Sequence, residues 1–104
     1  MLTDGLYVAK FQTPLGNGAG VVMLNGAKLR GGDSAILYSG TVSQDGDKVT
    51  AKISTTRHTN GNASVFGTDR VTIDLSGKSA SDTATLSGRA AGVDFRVELH
   101  RVSD

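Results

Sequence analysis

Strand alternation and glycine turns predict an all-β chain: about eight antiparallel strands in a meander closed into a barrel. Apolar and polar residues alternate through most of the 104 residues, with almost no helical periodicity. Asn25-Gly26 and Asp45-Gly46 each sit between alternating apolar residues, the strongest short-range hairpin signal. Fourteen glycines against one proline suit tight turns and bent strands.

The first strand is expected over residues 4–13, with Tyr7, Ala9 and Phe11 on one face. A turn around Leu15-Gly16 returns the chain into residues 18–24. This places Phe11 against Gly20, Ala9 against Val22 and Tyr7 against Leu24. The Asn25-Gly26 turn then sets Leu24 against Ala27 and Val22 against Leu29. Gly31-Gly32 is expected to interrupt pairing, with Asp33 accepting from local backbone donors. The Asp45-Gly46 turn pairs Val42 with Val49, Gly40 with Ala51 and Tyr38 with Ile53. Arg57 to Gly67 reads as a loop. It contains Asn60-Gly61-Asn62 and then an apolar pair, Val65-Phe66, suited to a short helical turn near 62–67 or a lid.

Beyond that loop, Val71, Ile73 and Leu75 share one face, as do Ala84, Leu86 and Gly88, and then Val93, Phe95, Val97 and Leu99. A turn at Ala91-Gly92 pairs Arg89 with Asp94, Gly88 with Phe95 and Leu86 with Val97. A meander apolar on one face must hide its edges, and closure does so. Eight strands give an interior that side chains can fill or that holds one small ligand. The inward Ala9, Gly20, Gly40, Ala51, Ala84 and Gly88 therefore mark either strand bends or a cavity, with bends the stronger expectation. In the cavity case Tyr7, Phe11, Tyr38 and Phe95 line it.

One domain spans residues 1–104. Eleven basic and ten acidic residues give a net charge of +1 and no basic footprint for nucleic acid. There is no cysteine for a disulfide or a thiolate metal site. No apolar run approaches the roughly 20 residues of a membrane-spanning helix. The start MLTDGLY lacks the pattern of a signal peptide, so cytoplasmic location is expected.

Little in the residues points to catalysis. Gly16-Asn17-Gly18-Ala19-Gly20 lacks the Lys-Ser/Thr of a phosphate loop. His100 lies on an outward face beside Glu98, and His58 is expected in the loop with no nearby carboxylate or second ligand. Neither has the partners of acid–base or metal chemistry, so the chain is read as a non-enzyme with no cofactor and no metal. Two surface features remain. Leu6, Val8, Val21 and Met23 gather outside the first hairpin, with Val8 opposite Met23 and with Leu37 outward on its own strand. Such a group suggests a homodimer or partner contact. The turn Gln44-Asp45-Gly46-Asp47 presents two carboxylates at a hairpin tip.

Residues 4–47 resemble the GrlR-type negative regulators of bacterial type III secretion. The matching pieces are Asp4-Gly5-Leu6-Tyr7 with Phe11, Gly18-Ala19-Gly20-Val21 leading to Asn25-Gly26, and Gly31-Gly32-Asp33. Ala35, Tyr38, Gly40, Ser43 and the acidic turn follow, and Ser64-Val65 is the best later remnant. The resemblance implies a small lipocalin-like barrel, often dimeric, that sequesters a transcriptional activator without touching DNA. Its partner contact maps onto Gln44, Asp45, Gly46 and Asp47. Only two of those four are acidic here. The expected function is regulation by protein–protein binding. The alternative is a carrier or sensor of a small apolar ligand in the barrel interior.

Overall fold

The computed structural model describes residues 1–59, 70–90 and 92–104. The eight strands are β1 (Gly5–Thr13), β2 (Gly16–Asn25), β3 (Lys28–Gly32), β4 (Ile36–Asp45), β5 (Lys48–Arg57), β6 (Arg70–Ser79), β7 (Thr83–Ala90) and β8 (Val93–Ser103). They form an antiparallel meander in sequence order, and β8 pairs with β1 to close the barrel. No helix occurs among the described residues. The helical turn or lid expected near 62–67, with Val65 and Phe66, lies outside them, as do Asn60-Gly61-Asn62 and Ser64.

Alternation sorts the residues as a strand period of two requires. Tyr7, Val22, Tyr38, Ile53, Ile73, Leu86, Phe95 and Val97 are buried, and Phe11 and Val71 pack against them. On the outside, Lys52 faces Asp74, Asp74 faces Arg89 and Arg89 faces Asp94, a ladder of alternating charge across β5 to β8.

Three hairpins close two residues away from the expected register. Asn25 and Asp45 are the last paired residues of their strands, facing Lys28 and Lys48. The loops are therefore Gly26-Ala27 and Gly46-Asp47. Each glycine takes the first loop position with φ near +64° or +63°, a conformation that side chains resist. The consequence is that Leu24 faces Leu29, Gly40 faces Ile53 and Tyr38 faces Thr55. In the first hairpin Phe11 faces Gly18, Ala9 faces Gly20 and Val8 faces Val21, while Met23 lies opposite Leu6. A shift of two residues keeps every side chain on its expected face, which is why the core reading survives. The last hairpin has the expected register, with Gly88 facing Phe95 and Leu86 facing Val97.

Gly31 and Gly32 do not interrupt the sheet. Both pair with β2 on one side and β4 on the other. A Cβ on Gly31 would lie 1.9 Å from the Val21 carbonyl oxygen, and one on Gly40 would lie 2.0 Å from that of Lys52. At these inward glycines a side chain would strike the backbone of the neighbouring strand. Arg57, expected in the loop, ends β5 opposite Ile36.

One end of the barrel is plugged by residues 1–4. Leu2 is buried, its N–H donates to Gln44 Oε1 (2.7 Å), and Gln44 Nε2 donates to the Leu2 carbonyl (3.2 Å). Asp4 Oδ1 accepts from the Gly26 N–H, and the Tyr7 hydroxyl donates to the Thr3 carbonyl. The hairpin loops Gly26-Ala27 and Gly46-Asp47 lie at this end. The β3–β4 connection, residues 33–35, lies at the other.

Candidate functional site

The barrel interior holds a cavity of about 270 Å³, reaching from the middle of the core to the β3–β4 end. It exists because small residues take inward positions: Ala9 on β1, Gly18 on β2, Ala35 before β4 and Ala51 on β5 leave space that larger side chains would fill. Val22, Leu29, Ile53, Ile73, Leu86 and Val97 supply most of the apolar wall.

Three aromatic rings shape it. Phe11 meets Tyr38 edge to face, with centroids 5.2 Å apart, and stacks on Phe95 at 5.7 Å. Such pairs add about 0.5–1.5 kcal/mol beyond their buried area and hold the rings in fixed orientations. Tyr38 also covers Gly20, where a Cβ would lie 2.9 Å from Cε2 of its ring. The sequence pattern expects an aromatic over Gly20 but assigns Phe11 to it. Phe11, Tyr38 and Phe95 all line the cavity as expected. Tyr7 does not: it is fully buried near the plugged end, tied to Thr3.

Polar groups are confined almost wholly to the mouth. Asp33, Ser34 and Asn17 stand there, and the Tyr38 hydroxyl reaches up to donate to Asp33 Oδ2. Asp33 Oδ1 accepts from the backbone N–H of Ala35 (2.8 Å) and Ile36 (2.7 Å), which fixes the β3–β4 turn. Burial by itself would raise the Asp33 carboxyl. The hydrogen bonds from Tyr38, Ala35 and Ile36, with nearby His58, outweigh it and hold the carboxyl below its ordinary value. Tyr38 moves the other way: burial, the hydrogen bond to Asp33 and the Asp33 charge all push its phenol far up, so it stays a protonated donor.

His58 has a neighbour that sequence reading did not find. Its Nε2 lies 3.0 Å from the Asp33 carbonyl oxygen, and its backbone N–H donates to the Ala35 carbonyl (2.8 Å). His58 thus braces the turn that carries Asp33. Deeper inside, the one buried polar residue of the core among the described residues is Thr55. Its hydroxyl donates to the Val71 carbonyl and accepts the Val71 N–H, so it offers little to a ligand.

The other expected sites lie on the outside. Val21, Met23 and Leu37 are 45%, 41% and 52% exposed, and Leu6 and Val8 are half-buried. Leu37, Gly32, Val21 and Val8 follow one another across β4, β3, β2 and β1, so these residues form one continuous strip. Gly32 has no side chain and lets Leu37 approach Val21. At the plugged end, Asp45, Gly46 and Asp47 are exposed at a hairpin tip, whereas the Gln44 amide is engaged by Leu2. His100 faces outward, 3.9 Å from Glu98. The run Gly16 to Gly20 belongs to strand β2. Among the described residues no group of three or more His, Asp or Glu is placed to hold a metal ion.

No protein-family model matches this chain, and no curated protein matches its sequence. Of what the resemblance implies, the structure has the closed barrel of eight antiparallel strands.

Proposed function

We propose that this chain is a non-enzymatic binding barrel that carries or senses one small apolar molecule in its interior. The cavity supports this reading. Protein cores pack with few voids larger than a water molecule. A void of about 270 Å³ walled by aliphatic and aromatic side chains is therefore a departure that asks for an occupant. It lies near the lower end of small-molecule pockets, roughly 300–1,000 Å³. A cavity of about 150 Å³ already takes up benzene.

Thermal unfolding with octan-1-ol tests the reading. Ligand at about 100 times its Kd stabilises by about 2.7 kcal/mol. In a domain of this size that raises Tm by at least about 10 °C. Ala51→Leu fills the cavity from its wall and should abolish the rise while leaving the barrel folded by circular dichroism. An equal rise in the variant places binding elsewhere and sinks the proposal.

The outer strip favours a second reading. Regulation through a protein contact, as the GrlR-type resemblance implies, suits a wall where Leu6, Val8, Val21, Met23 and Leu37 meet water. The occupant we assign to that wall is a second copy of the chain, because an apolar strip is complementary to itself and two-fold pairing is the commonest assembly. A heterologous partner, such as a transcriptional activator, would then meet the acidic tip Asp45-Gly46-Asp47, leaving the strip to the dimer.

A further inference from the structure

Resting on the reading of the cavity as a ligand site, we infer that its occupant is an apolar body bearing a hydrogen-bond donor, an alcohol or an amine, and that carboxylates are rejected. The basis is an account of hydrogen-bonding capacity. Among the described residues the inner wall is apolar but for Thr55, whose hydroxyl is committed in both directions to Val71. A polar head must therefore sit at the mouth. There Asp33 can only accept. Its two oxygens take three hydrogen bonds, from Ala35, Ile36 and Tyr38, which leaves acceptor capacity of about one more. The Tyr38 hydroxyl has its one hydrogen committed to Asp33 and so faces a ligand as an acceptor as well.

A donating head fits this pair, and an amine gains the Asp33 charge in addition. A carboxylate head meets the Asp33 charge at close range, and among the described residues the side-chain donors it finds at the mouth are Ser34 and Asn17, both solvent-exposed. Asp33 makes no ion pair among the described residues. Arg57, a cation near this end, donates Nη1 to the Thr59 carbonyl (3.2 Å) and does not line the cavity.

Calorimetric titration with octan-1-ol, octylamine and octanoate, three heads on one chain, tests the assignment. A hydrogen bond to a charged group is strong enough for at least about tenfold tighter binding of the alcohol and the amine than of octanoate. In Asp33→Asn, which keeps an acceptor for the Ala35 and Ile36 N–H groups but removes the charge, that preference should shrink. Octanoate binding as tightly as octan-1-ol to the wild type overturns the head-group assignment and leaves the cavity reading standing. If none of the three binds, both fall. The wild-type comparison decides the matter even if Asp33→Asn does not fold.

Discussion

Asp33 does two jobs with one carboxylate. It closes the turn into β4 through two backbone N–H groups and it receives the Tyr38 hydroxyl from inside the barrel. The first job is legible in the sequence, because an aspartate after Gly31-Gly32 is a common local acceptor. The second is not: a register wrong by two residues hides which inward side chain reaches the mouth. Removing the phenolic hydroxyl by Tyr38→Phe should cost about 1.5–3 kcal/mol at neutral pH, the range for a hydrogen bond to a charged partner. The sign of its pH dependence follows from Asp33. A carboxyl lowered in the folded state adds stability above its unfolded pKa and loses it as pH falls through the folded value. The gap between wild type and Tyr38→Phe, measured by urea unfolding, should therefore narrow in acid below the ordinary carboxylate range. A gap of constant size down to about pH 2 would show that the charge of Asp33 does not strengthen this bond.

At the scale of strands and hairpins, face and register separate as kinds of information. Face follows from alternation alone, and it puts Tyr7, Tyr38, Ile53 and Phe95 inside. Register depends on which residues occupy the loop, and Asn-Gly and Asp-Gly leave two choices. The inward glycines contain the missing signal. In the observed register Gly40 faces both Leu29 and Ile53, and Gly88 faces both Leu75 and Phe95. Each glycine is bracketed by large side chains, a small-to-large match that the alternative register lacks at Gly40.

The outer wall of the first strands was legible because face alone decides it. Charge repulsion gives its test. Val8→Glu with Met23→Glu places two carboxylates in the middle of the strip, and light scattering should report a dimer for the wild type and a monomer for the variant. A wild type monomeric at tens of micromolar, or a variant still dimeric, would remove the strip from the interface. By contrast, the charge ladder on β5 to β8 contributes little to stability. Its closest pair, Arg89 and Asp94, is 3.9 Å apart and well exposed.

For the whole molecule, closure and emptiness have the same origin. Inward small residues serve two ends: Gly31, Gly40 and Gly88 leave room for the backbone of the neighbouring strand, while Ala9 and Ala51 leave the interior unfilled. Sequence alone does not sort them, because volume in a closed barrel depends on which residues face each other across it, not only along neighbouring strands. The plug of residues 1–4 closes one end, and the ring set of Phe11, Tyr38 and Phe95 stands toward the other. Among the described residues, the cavity reaches the end of the barrel where Asp33 stands. The most direct test is methyl-resolved NMR during titration with octan-1-ol. The Ile53, Ile73 and Leu86 methyls, which face the cavity, should shift and saturate together, while those of Val21 and Leu37 on the outer wall stay fixed. Shifts confined to Val21 and Leu37, or no saturable shift of the interior methyls, would contradict the account of this barrel as a container.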